Sequence, residues 1–331
     1  MPESNKPLKH LRMLVLATTY PRWENDSTPH FVFDLNRQLA QKVETWVLVP
    51  HSGGAKYFEE KDGVRIIRFP YFFPTKLQCL CYDGGILPNL KSSWLARLQL
   101  PFFLIFQFLA ILKAVRKYKI NFIHCNWIIP QGFFTLIISK LFNIPYLLTA
   151  LGADVFAFRG LPGFRKLKSW VLKHSSLCTA NSHDLIEQLK LLSPTTPLQY
   201  IPVGVDEKFF TENNYDPQLK VDLNITGPFL LGVGRFAEKK GFKYLIDAMP
   251  AILKSFPETK LVLIGYGPKE SELKSQVKSL GLGQNILFVG GKSRSDLSRY
   301  YATADIFIGP SIIAAGGDTE GQPAAFIETM A

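Results

Sequence analysis

The sequence predicts an α/β protein made of two tandem doubly wound parallel sheets, and three observations predict it. Short β-branched and aliphatic runs alternate with amphipathic stretches along the chain. Near residue 200 the alternation gives way to a polar, turn-rich stretch and then restarts. In the second half each strand-like run ends in glycine, at the point where an open parallel sheet turns toward a ligand. Continuous apolar runs, as opposed to strict apolar–polar alternation, belong to strands covered on both faces.

In order, "RMLVLATT" (12–19), "TWVLVP" (45–50), "VRIIRF" (64–69), "INFIHC" (120–125), "PYLLTAL" (145–151) and "LCTAN" (177–181) read as strands. Helical segments such as "FVFDLNRQLAQK" and "QGFFTLIISKLF" lie between them. "QYIPVGVDEKFFTENNYDPQLK" lacks sustained periodicity and reads as a linker. Four βα units follow, with strands "PFLLGVG", "KLVLIG", "NILFVG" and "ADIFIG" and helices near 240–255, 268–280, 294–303 and 322–331. The predicted domains are residues 1–205 and 206–331. Each sheet offers the carboxyl ends of its strands to a ligand, and two such sheets facing one another can take one substrate from each side.

Composition fits a soluble globular chain: 47% of the 331 residues are hydrophobic and 20% charged. Cys79, Cys81, Cys125 and Cys178 show neither a CxxC spacing nor a dense framework, as expected of reduced thiols in the cytosol. The apolar run near the N-terminus is too short for a signal-peptide core. "LPFFLIFQFLAILKAV" (100–115) is interrupted by Gln107 and Lys113 before it reaches the ~20 residues of a membrane span. It is expected to be a buried or surface-seated helix. The net charge of +11 is uneven: residues 1–205 hold 24 Lys/Arg against 12 Asp/Glu, and residues 206–331 hold 14 against 15. A basic first half attracts an anionic lipid, a phosphorylated substrate or nucleic acid.

Candidate binding residues concentrate in the second half. "GVGRFAEKKGF" places Gly232 and Gly234 at a strand end, Arg235 beside them and Lys240 near the next helix. "IGYGPKE" repeats the Gly-x-Gly turn with Gly265 and Gly267. Backbone N–H groups at such turns, a guanidinium fork and an ammonium suit a diphosphate. Neither turn continues to a third glycine at the dinucleotide spacing, since Ala237 and Glu270 stand there, and tight βα turns favour glycine in any case. Thr319-x-x-Gln322 has the form of a capping box, which would put Glu320 just before a helix and Glu328 about two turns in. Carboxylates so spaced are too far apart to act as one acid–base pair, but they can grip two sets of vicinal hydroxyls on an extended ligand.

Arg235 and Lys240 within "GRFAEKKG", "GYGP", "FVG" at 288–290, "PS" at 310–311 and Glu320-x7-Glu328 within "EGQPAAFIETMA" occur in that order. The set resembles the retaining GT-B glycosyltransferases of glycosyltransferase family 4. That resemblance implies transfer of a hexose from a nucleotide-diphosphate sugar with retention, with no cofactor and no metal; the sequence holds no D-x-D pair. It also implies roles: Arg235 and Lys240 on the diphosphate with Gly234, Gly265, Gly267 and Gly321 around the donor, Glu320 at the transferred sugar, and Glu328 at the ribose.

The first half is similar to the same family, particularly to bacterial members that build surface polysaccharides, through "TYPRWENDSTPHFV", "IHCNWIIPQG", "TALGADVF", "TANSHDL" and "IPVGVD". The resemblance puts His124, Asn126, Trp127, Gln131 and Gly152 near the acceptor side of a cleft and makes Asp154 a catalytic candidate. His124 is equally readable as a satisfied structural histidine. Many relatives have H-x-H-W where this chain has His124-Cys125-Asn126-Trp127, and a histidine where Leu151 stands; that histidine usually contacts donor sugar or phosphate. The expected partners are a nucleotide sugar, a saccharide or lipid-linked saccharide and an anionic membrane surface, with no nucleic acid. The expected location is cytoplasmic, peripheral at the inner face of the plasma membrane. Basic and aromatic residues in 158–174 (Arg159, Arg165, Lys166, Lys168, Lys173 with Phe164, Leu167, Trp170, Val171) and in 70–106 suggest where that membrane docks. The family continues several dozen residues past the point where this chain stops, so the second domain is expected to be incomplete and turnover weak. The rival expectations are a donor-binding remnant without turnover and a basic module that retains nucleic acid at low salt.

Overall fold

The computed structural model describes residues 10–24, 26, 28–82, 85–158, 160–315 and 319–331. The chain divides into two compact units, the first ending at Pro202 and the second comprising Val203–Ala331.

The first unit is built on eight strands: β1 Arg12–Leu16, β2 Glu44–Pro50, β3 Phe58–Lys61, β4 Val64–Phe69, β5 Phe122–Asn126, β6 Tyr146–Ala150, β7 Leu177–Ala180 and β8 Leu198–Tyr200. Their order across the sheet is β3-β4-β2-β1-β5-β6-β7-β8. Seven run parallel, and β3 pairs antiparallel with β4. All six predicted strands are present. The prediction of a purely parallel sheet is corrected at β3, whose sequence FEEK is too polar to read as a strand but suits a solvent-facing edge. Tyr200 and Gln199, assigned to the linker, belong to β8, a three-residue edge strand.

Both faces of this sheet are covered, which is why its strands are apolar without alternation. Leu14 and Leu16 of β1 face one core with Trp46 and Leu48 of β2. Met13 and Val15 face the other with Val47 and Val49, under Val32 and Phe33 of the helix Phe31–Ala40. Arg68 of β4 is fully buried; it pairs with Glu59 of β3 at 2.6 Å and donates to the carbonyls of Pro21 (2.7 Å) and Lys56 (3.0 Å).

The apolar segment 100–115 lies in the helix Trp94–Tyr118, the one helix among the described residues long and apolar enough to cross a bilayer. One side of it packs into the core through Phe103, Ile111, Ala114 and Val115. The expectation that 158–174 docks a membrane is corrected in part. In the helix Phe164–Lys173, Lys168, Val171 and Leu172 are buried. The Lys168 ammonium donates to the carbonyls of Val155 (3.0 Å) and Ala157, at the end of the short helix Ala153–Phe156. Arg159 lies outside the described residues.

The second unit has four parallel strands, β9 Phe229–Val233, β10 Lys260–Ile264, β11 Ile286–Phe288 and β12 Ile306–Phe307, in the order β11-β10-β9-β12. Each predicted strand is there. Leu230, Leu261 and Leu263 pack one face with Phe242, Leu245, Ile246 and Met249; Phe229, Leu231, Val262 and Ile264 pack the other with Tyr300.

Candidate functional site

Each sheet reverses its direction of growth once, and open sheets of this kind bind at such a reversal, beyond the carboxyl ends of the strands. In the second unit the reversal falls between β9 and β12. The chain leaves β9 through Gly234 (φ +154°) directly into the half-buried Arg235. Three backbone hydrogen bonds lace this turn to the one after β10: Gly234 N–H to Ile264 O, Phe236 N–H to Tyr266 O and Lys269 N–H to Phe236 O, each 2.9 Å. The approach is so close that a Cβ on Gly265 would stand 2.0 Å from Gly234 O, and one on Gly267 would stand 2.5 Å from Phe236 O. Gly265 and Gly267 thus have a packing reason to be glycine, whatever they hold besides.

Lys240 folds back over the turn, its Cε 3.1 Å from where a Cβ on Gly234 would be. Its Nζ lies 3.2 Å from Oε2 of Glu320, and Lys239 Nζ lies 3.5 Å from Oε1. The structure therefore brings together Lys240 and Glu320, eighty residues apart, and adds Lys239, which sequence reasoning passed over although the Lys-Lys doublet was in view. The loop after β12 is seated by Gly241 (φ +67°), where a Cβ would meet Pro310 O at 2.0 Å, and by Ile312 N–H to Lys239 O at 2.8 Å.

Glu328 sits on the helix Ala324–Met330, which docks through Phe326 against Gly309 and edge-on to Phe307 at 5.2 Å. Tyr301 donates its hydroxyl to Glu328 Oε2 at 3.0 Å. Burial first, then the Glu328 carboxylate, pushes the Tyr301 phenol well above its ordinary range, so it stays a donor. Sequence reasoning missed Tyr301 because nothing in its spacing points to Glu328. The capping box is corrected: the helix starts at Ala324, its N-cap Pro323 offers no side-chain acceptor, and Gln322 instead accepts from Val203 N–H at 2.7 Å. Glu320 and the half-exposed Gly321 lie ahead of the helix in irregular chain.

In the first unit the reversal falls between β1 and β5. Asn126, the last residue of β5, donates to Leu16 O of β1 at 3.1 Å and closes the seam. Trp127 follows at φ +89°, a conformation that costs a bulky residue roughly 1–3 kcal/mol. It is held by its N–H to Thr149 O (3.0 Å) and by Gly132 N–H to its own carbonyl (3.2 Å).

Asp154 is buried and fully engaged. Oδ1 accepts from Leu151 N–H and Gly152 N–H, both at 3.1 Å, and Oδ2 from Ile128 N–H at 3.0 Å. It fastens the loop after β6 to the loop after β5, with Gly152 at φ +109° supplying the bend. Burial pushes its carboxyl above the ordinary value, against the pull of those amides and of Lys168. His124 is buried too, with Nε2 2.8 Å from Thr149 Oγ1, which meets Thr179 Oγ1 at 2.8 Å. Burial lowers its pKa from 6.5 to about 4, so the ring is neutral, as a structural histidine would be. Gln131 is buried with no partner for either amide atom. Among the described residues no three His, Cys, Asp or Glu side chains converge as a metal cradle, and the four cysteines are free.

Two family descriptions match in tandem: Glycosyltransferase Family 4 over residues 30–209 and Glycosyl transferases group 1 over 217–331. The chain is similar to the amylovoran biosynthesis glycosyltransferase AmsK of Erwinia amylovora, 38% identical over 102 residues, which are 31% of this chain and 25% of AmsK. It is also similar to the GDP-mannose-dependent monoacylated α-(1-6)-phosphatidylinositol monomannoside mannosyltransferase of Corynebacterium glutamicum, 29% identical over 177 residues, 52% of this chain and 46% of that protein. It thus covers less than half the length of these relatives. Among solved structures, sucrose-phosphate synthase from Thermosynechococcus elongatus superposes with a TM-score of 0.74 at 20% identity, over 97% of this chain and 79% of the other, which fixes the GT-B fold.

Proposed function

Because the chain belongs to glycosyltransferase family 4, we propose that it transfers a hexose from a nucleotide-diphosphate sugar to a saccharide or lipid-linked saccharide, with retention and without a metal. The observation that carries this reading is the meeting of Lys240 with Glu320 at the β9/β12 reversal. A cation for phosphate oxygens and an acceptor for sugar hydroxyls stand within one ion-pair distance, and the bond to be broken in a nucleotide sugar joins those two chemistries. Arg235 and Lys240 take the diphosphate, stabilising the charge that grows there as the anomeric carbon–oxygen bond breaks. Glu320 releases Lys240 to accept from the sugar, and Glu328, oriented by Tyr301, accepts from the ribose.

Asp154, with three amides on its two oxygens, holds Ile128, Leu151 and Gly152 in place and does not itself meet the sugar. Asn126 and Trp127 lie beside the acceptor. The names of the relatives support the substrate classes: AmsK belongs to polysaccharide biosynthesis, and the Corynebacterium protein is named for a nucleotide sugar and a lipid-borne mannoside.

The test is a thermal-shift and calorimetric screen of UDP, GDP and ADP with their sugars. One family of nucleotides should raise the melting temperature, by about 3 kcal/mol of stabilisation at a hundredfold excess over Kd. Lys240→Ala should weaken that binding by roughly 10–100-fold, the worth of a charge-assisted hydrogen bond. Glu320→Gln should leave the free diphosphate bound while removing the added affinity of the sugar. Indifference to every nucleotide, or a Lys240→Ala variant that binds like the parent, defeats the proposal.

A further inference from the structure

The helix Trp94–Tyr118 has a second hydrophobic face that the fold leaves open. Its inward side carries two buried glutamines, Gln99 and Gln107, among Phe103, Ile111 and Ala114. Gln99 is there for a reason: it donates to Leu77 O at 2.7 Å and accepts from Cys79 N–H at 3.1 Å. Facing outward are Trp94 (73% exposed), Leu98 (48%), Phe102 (43%), Ile105 (57%), Phe106 (36%) and Leu109 (49%). At about 100° per residue these six fall within an arc of roughly 120°, and they run for ~22 Å along the axis. An apolar stripe of that extent on a folded surface marks an interaction face. Phe72 packs edge-on against Phe102 at 5.8 Å, and the next residue, Phe73, is 62% exposed.

Charge identifies the occupant. Between Asp83 and Asp154 the sequence contains no acidic residue and seven Lys or Arg. Beyond Leu109 the outward arc continues with Lys113 and Arg116, both exposed, so the face passes from apolar to basic along its length. A second copy of the chain would bring like charge against like charge, whereas an anionic lipid surface complements both parts. The opposite side of the helix stays in the core, so the helix lies along a bilayer and does not cross it. We propose that this face docks the protein on an anionic membrane, with Trp94 to Leu109 in the acyl boundary and Lys113 and Arg116 among the headgroups. The docking stands apart from the glycosyl-transfer reading, since it requires neither donor nor turnover.

Flotation of the full chain with vesicles tests it, using phosphatidylcholine alone against phosphatidylcholine mixed with phosphatidylglycerol at low salt. The protein should float with the anionic vesicles, and Trp94 emission should shift to the blue relative to Trp94→Phe. Ile105→Glu with Phe102→Glu, both at exposed positions, should abolish flotation while circular dichroism stays unchanged. Lys113→Glu with Arg116→Glu should reduce it by at least about fivefold, on the order of one such step per charge. Equal flotation on neutral vesicles, flotation that survives the Glu substitutions, or self-association without lipid that those substitutions abolish would each overturn the assignment.

Discussion

His124 allows a prediction worked through from its surroundings. The folded chain holds it neutral with a pKa of about 4, whereas the unfolded chain lets it titrate near 6.5. Folded His124 therefore binds its proton less readily than unfolded His124. Its contribution is fully present above about pH 6.5 and is lost as the pH falls from there toward about 4. Between about pH 8 and about pH 5 the linkage amounts to about 2 kcal/mol, and it approaches about 3 kcal/mol near pH 4. The assay is urea unfolding at both pH values for the parent and for His124→Gln. The substitution carries some constant cost, but the difference between the two pH values isolates the titration, because the other groups titrate in both proteins. The parent should lose about 2 kcal/mol more than the variant on going to about pH 5. If the two lose stability equally, to within about 0.5 kcal/mol, His124 is not held as its burial and its bond to Thr149 imply, and the reasoning fails.

Two further outcomes follow from the site. Asp154→Ala strips an acceptor from three amides and should cost about 3–5 kcal/mol in denaturant unfolding; normal stability with lost transfer would instead place Asp154 at the sugar. Tyr301→Phe should cost about 1–2 kcal/mol and weaken nucleotide binding severalfold by removing a hydrogen bond that orients Glu328; unchanged calorimetric affinity would disconnect Tyr301 from the ligand.

The strands were legible because both faces of each sheet are covered, which leaves runs such as Leu14–Leu16 and Leu261–Ile264 uniformly apolar. Where a strand lacks that cover the signal goes: β3 has two glutamates and a lysine, and β8 is three residues long. The site was legible as residue types and order, not as partnerships. Gln322 looks like a capping residue until Val203, 119 residues earlier, takes its oxygen. Lys168 looks like part of a solvated basic face because helical periodicity cannot foresee the two carbonyls that draw it inward. Segment 100–115, expected to be a buried or surface-seated helix, is both, with Ile111 buried and Ile105 and Leu109 exposed, since hydrophobicity alone does not say which of two apolar faces the protein covers.

The turn after β9 hangs from the turn after β10 by amide–carbonyl bonds, with glycine where the two backbones touch. Such a junction moves as a single plate: displacing one loop drags the other. Its shape owes little to the side chains it displays, so exchanging the half-exposed Tyr266 should retune what the plate favours without warping it. The intolerant positions are those with no side chain at all: a methyl group at residue 265 would pry the two loops apart.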